Sequence, residues 1–171
     1  MRRLFSFPNP VNEVSARLVA GGVVVMCLTA IVSGQAWLSA VIAYGFVARV
    51  LTGPTLSPLG QLVTRVITPR LSLPEKPVPG PPKRFAQAIG AGLSVTAAVL
   101  LLAFGLHPAG YALLGLVAVA ATLESVFAYC LGCTIFAGLM RLGVVPEATC
   151  EQCNDIWKRP GAAHTAIEPR H

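Results

Sequence analysis

No Asp, Glu, Lys or Arg occurs between Arg17 and Arg49, and none between Arg84 and Glu124. Uncharged apolar stretches of that length decide the solvent of a chain before any motif is read, because a helix of about 20 apolar residues crosses a ~30 Å hydrocarbon core. Composition agrees. Hydrophobic residues make up 54% of the 171 and charged residues 12%, against about 25% charged in a soluble domain. Mean hydropathy is +0.68, which leaves too little polar surface to coat a water-soluble globule. The expected fold is therefore all-α: a single multi-pass transmembrane bundle of about four helices, in contact with lipid.

The runs divide at turn residues. The first extends from about Ala16 to Ser33. It is too long for the apolar core of a signal peptide, and Pro8, Asn9, Pro10, Asn12 and Glu13 precede it. Gly34-Gln35 leads to a second run, from Ala36 to about Leu51, with Trp37 where an interfacial anchor belongs. Gly53-Pro54 and Ser57-Pro58 break it. The amphipathic stretch 59–67 is too short to span and is expected as a surface helix. A Pro-rich linker is expected over 69–82. The third run covers Phe85 to Leu106, with small residues at close spacing: Ala88 and Gly92, Gly90 and Ser94. After a turn at His107-Pro108, the fourth run stays apolar to about Val145. As one helix it would exceed about 50 Å, so it is expected to bend or break near Cys130–Cys133.

The net charge of +6 does not point to nucleic acid, because the cations are scattered between apolar runs. Arg2, Arg3 and Arg17 precede or open run one. Arg49, Arg65, Arg70, Lys76, Lys83 and Arg84 lie between the ends of runs two and three. Arg141, Lys158, Arg159 and Arg170 follow run four. The two short turns carry none. The positive-inside rule then puts both termini and the linker in the cytoplasm, in the cell (inner) membrane. The resulting organisation is a cytoplasmic segment 1–15, a transmembrane domain 16–145 and a cytoplasmic tail 146–171.

Two features carry chemistry. Arg49 and Glu124 lie at similar depth in runs two and four, and are expected to form an intramembrane ion pair, since an unpaired charge there is costly. The pair reads either as a structural register device or as part of a small-solute transporter. Four of the five cysteines form two C-x-x-C pairs, Cys130/Cys133 and Cys150/Cys153. That spacing admits a zinc site of four thiolates, an iron–sulfur ligand set, or thiol redox and sulfur handling. In the redox reading Cys130 and Cys133 are the reactive pair, Cys150 and Cys153 resolve them, and a thioredoxin-like or sulfur-carrier protein is the partner. Cys27 is read as apolar filler. The sequence names no substrate, and whether the chain is an enzyme stays open.

Several blocks in order resemble a known family. Phe7-Pro8-Asn9-Pro10-Val11-Asn12-Glu13 with Ala16-Arg17 resembles its opening. Arg49, Gly53-Pro54 and Ser57-Pro58-Leu59 resemble its centre. Pro81-Pro82-Lys83-Arg84-Phe85-Ala86 resembles the start of its second half, and Glu124 with Cys130-Leu131-Gly132-Cys133 its close. The family is the bacterial membrane-protein family known as domain of unknown function 4395. The resemblance covers Phe7 to about Leu142 and implies a multi-pass bacterial membrane protein, actinobacterial given the Ala, Gly, Val and Pro richness. It implies no activity or cofactor, and it leaves out Cys150 and Cys153.

Overall fold

The computed structural model describes residues 10–71 and 76–145. Helix α1 (Glu13–Ser33) starts where the Asn12 side chain accepts from the Val14 amide, and it ends at Gly34 in the left-handed region. Helix α2 (Trp37–Thr52) follows after three residues. Beyond the Gly53-Pro54 turn, Ser57 caps α3 (Pro58–Leu62). A π-helical turn (Val63–Ile67) and α4 (Thr68–Leu71) continue it. The surface helix expected over 59–67 is thus the middle of a longer, irregular helical segment. Of the expected linker 69–82, its first residues belong to α4 and its last to α5 (Gly80–Leu102). Pro81 and Pro82 sit in the first turn of α5, where a missing N–H costs nothing. Just before it, β2 (Pro77–Val78) pairs antiparallel with β1 (Val11–Asn12), and the Glu13 amide donates to the Lys76 carbonyl. This short ladder ties the entry of α1 to the entry of α5.

Helix α6 (His107–Phe127) begins with His107-Pro108 inside its first turn, so the turn between α5 and α6 lies earlier, at Ala103–Leu106. The fourth apolar run divides after Phe127. Ala128 adopts the left-handed conformation (φ 56°), Cys130 is extended, and α7 (Leu131–Arg141) starts in a new direction.

Helix α2 packs along α5, α5 along α6, and α6 along α1. Their shared core holds Val23, Cys27, Ile42, Phe46, Leu101 and Leu114. Small residues permit the close approaches: a Cβ on Gly90 would strike the Phe46 ring, and one on Gly110 the Leu101 side chain. Of the two small-residue pairs in α5, Gly90 and Ser94 face the bundle, whereas Ala88 and Gly92 are exposed. The outer faces carry Val25, Leu28, Val32, Val95, Val99, Leu116 and Val119, all exposed. So much exposed apolar surface suits lipid rather than water. Helices α1, α5 and α6 are each long and apolar enough to cross a membrane; α2 and α7 are shorter apolar helices.

Candidate functional site

The polar groups of the bundle collect at one end, where α1 and α5 begin and α2 and α6 finish. Lys83, on the first turn of α5, forms an ion pair with Glu124 near the end of α6. One helical turn further along α5, the Gln87 Oε1 accepts from Arg49 Nε of α2 at 2.9 Å. Arg49 Nη1 donates to Ser57 Oγ at 3.2 Å, and its guanidinium lies 4.5 Å from the Phe46 ring centroid.

This corrects the expected Arg49–Glu124 pair. Helix α5 stands between α2 and α6, and it starts early enough to place Lys83 and Gln87 at the depth where Arg49 and Glu124 were expected to meet. Lys83 takes the carboxylate and Gln87 takes the guanidinium. Arg17 of α1 completes the end of the bundle. Its Nε donates to the Ser125 carbonyl and its Nη2 to the Val126 carbonyl, both at 3.0 Å. These are two of the carbonyls left without helical partners where α6 stops.

That stop sets up the cysteines. Cys130 is the N-cap of α7, and its Sγ accepts from the Cys133 amide at 3.3 Å. Gly132, between the two cysteines, is buried against α5: a Cβ there would lie 2.5 Å from both Cα and Cβ of Ala86. The Phe85 and Phe136 rings pack with centroids 5.5 Å apart alongside. The thiol pair is therefore pinned beside the Lys83–Glu124 pair. It lies outside the long helices: Cys130 is in the connection after α6 and Cys133 in the first turn of α7, a helix too short to span.

The electrostatics separate the two thiols. The Cys133 side chain hydrogen-bonds to Cys130 and holds its thiol below the usual range, with Lys83 acting in the same direction against burial and Glu124. The same hydrogen bond, together with burial, pushes Cys133 up. The partial positive charge of the α7 N-terminus, which Cys130 caps, acts on Cys130 in the same direction as Lys83. Next to it, a cavity of ≈ 220 Å³ runs between the helices; Cys130, Glu124 and Gln87 line one part, and Phe46, Leu93 and Leu116 are among its apolar walls.

Residues 11–141 match the family described as Domain of unknown function (DUF4395). The chain belongs to this family. No curated protein and no solved structure matches the chain. The match includes Arg49, Lys83, Glu124, Cys130 and Cys133, and ends before Cys150 and Cys153.

Cys150 and Cys153, the second half of the four-thiol zinc reading, lie outside the described residues. Among the described residues no group of three or more His, Cys, Asp or Glu is placed to hold a metal ion. Cys27 is buried in the apolar core, as its reading as filler implies. Sequence reasoning passed over Lys83, Gln87, Arg17 and Ser57. The signal for Lys83 was available: Pro81-Pro82 followed by an apolar run marks a helix start.

Proposed function

We propose that this DUF4395 protein is a thiol–disulfide protein of the cell membrane. Cys130 would be the attacking thiol and Cys133 its resolving partner. The observation that carries this reading is the placement of Cys130 as the N-cap of α7, with Cys133 and Lys83 favouring its thiolate.

In this reading four helices cross the bilayer. Helix α2, with 16 residues, is the shortest of them at about 24 Å, a mismatch that local thinning accommodates. The distribution of basic residues supports a cytoplasmic side for both termini and the thiol pair. The segment 16–145 is the membrane domain, with 1–15 and 146–171 outside it.

The partner is a thioredoxin-like or sulfur-carrier protein. In the thioredoxin-like case, the Cys130 thiolate attacks one sulfur of the partner's disulfide, forming a mixed disulfide and releasing one partner thiol. Cys133 gives up its proton and attacks the Cys130 sulfur, releasing the second partner thiol and leaving a Cys130–Cys133 disulfide. Two electrons and two protons pass to the partner; the reverse sequence reduces the pair. Cys150 and Cys153 would then exchange with this disulfide.

The test is trapping. In membranes, Cys133→Ser is expected to accumulate a mixed disulfide between Cys130 and a partner thiol protein, and Cys130→Ser is not. Equal trapping by both variants, or by neither, would count against the assignment.

A further inference from the structure

Arg49 is 6% exposed. Its hydrogen-bond partners, Gln87 and Ser57, are neutral, and no carboxylate among the described residues lies within ion-pair distance of it. Glu124, whose charge reaches Arg49, is paired directly with Lys83. Arg49 lies in the last turn of α2, where the helix C-terminus offers roughly half an elementary charge of compensation. The Phe46 face adds a cation–π contact. Neither matches the desolvation cost of a full buried cation.

Arg49 borders a cavity of ≈ 200 Å³ that also meets Lys83, Asn12, Ser15, Thr64 and Gln87. Its charged lining residues are Arg49 and Lys83, the latter already paired with Glu124, and most of its wall is apolar. It sits under the β1 entry, between the first turns of α1 and α5 and the end of α2. Further basic residues surround this end: Arg17 and Arg84 on the helices, Arg65 and Arg70 on the segment that follows α3. An interhelical pocket with a buried guanidinium on its wall, at this end of a bundle, fits an anionic headgroup. Asn12 spends its Oδ1 on capping α1, so its amide nitrogen remains available to donate.

We infer that this cavity binds a phosphate-type oxyanion, with Arg49 as its principal charged ligand. The anion comes either from the headgroup of an anionic lipid in the adjoining leaflet or from solution. This inference stands independently of the thiol chemistry.

The full-length protein is reconstituted in nanodiscs of pure phosphatidylcholine, with and without added phosphatidylglycerol. Thermal unfolding is followed while inorganic phosphate is titrated in at constant ionic strength. A saturable rise in the midpoint with phosphate in phosphatidylcholine identifies a solution anion. A rise with phosphatidylglycerol, and none with phosphate, identifies a headgroup. In either case Arg49→Gln weakens the response about tenfold or more, the equivalent of one lost charge-assisted hydrogen bond. Because Arg49→Gln removes a buried group and is at risk of misfolding, Ala16→Leu serves as a second variant. Ala16 lines the cavity, and the added bulk fills it while keeping every charge. It is expected to abolish the response. No response in the wild type to either probe, or an undiminished response in Ala16→Leu, overturns the proposal.

Discussion

Gly132→Ala tests the packing that fixes the thiol pair. Gly132 is the second residue of α7, and the added methyl would meet Cα and Cβ of Ala86 at 2.5 Å. Non-bonded carbons rest at about 3.5–4.0 Å, so α7 must move away from α5 by about 1 Å or more. Overpacking of this kind costs about 1–3 kcal/mol. The better helix propensity of Ala returns about 0.5–1 kcal/mol, which leaves a net loss of up to about 2.5 kcal/mol. The displacement also carries Cys130 away from Lys83. The assay is thermal unfolding in neutral detergent, together with the alkylation rate of Cys130 at pH 7. Both should fall in Gly132→Ala. Adding Ala86→Gly should restore part of each loss: it deletes the methyl that the new side chain strikes, while the α5 backbone still crowds it. A Gly132→Ala protein as stable and as reactive as wild type would refute the close α5–α7 approach and the need for glycine at this position.

Lys83→Met strands Glu124 at a site where both side chains are only 12–14% exposed, and should cost about 3 kcal/mol. Adding Glu124→Gln should recover most of that in the same unfolding assay. Because Lys83 favours the Cys130 thiolate, Lys83→Met should also slow Cys130 alkylation near neutral pH. Arg17→Met removes two hydrogen bonds to the end of α6 and should lower stability by about 1–3 kcal/mol; Arg17→Lys should not restore it, lacking the forked geometry. Ala128 holds a left-handed conformation at the helix break, so Ala128→Gly should raise stability by about 1 kcal/mol.

The long helices were legible from uncharged length, and the break in the fourth run from the mismatch between that length and a bilayer. The Asn12 cap and the Gly34 end follow ordinary local chemistry. The ion pair was not legible in the same way. Depth counted from the run starts leaves Lys83 and Arg84 as loop charges, because Pro81 and Pro82 read as linker. Proline is tolerated in a first helical turn, so α5 starts about five residues earlier than its apolar character does, and that shift delivers Lys83 to Glu124. The β1–β2 ladder left no sequence signal, since two-residue strands are too short to show alternation. The role of Gly132 is visible only once α7 turns back onto Ala86, a meeting of residues far apart in sequence.

We propose that Cys130, and not Cys133, is the poised thiol at the end of the bundle. Site-resolved alkylation of the reduced protein against pH, quantified by mass spectrometry, tests it most directly. Cys130 should become reactive at a pH below that of an ordinary thiol, with Cys133 staying protected well above it. Matching profiles for the two residues, or earlier reactivity at Cys133, would contradict the account.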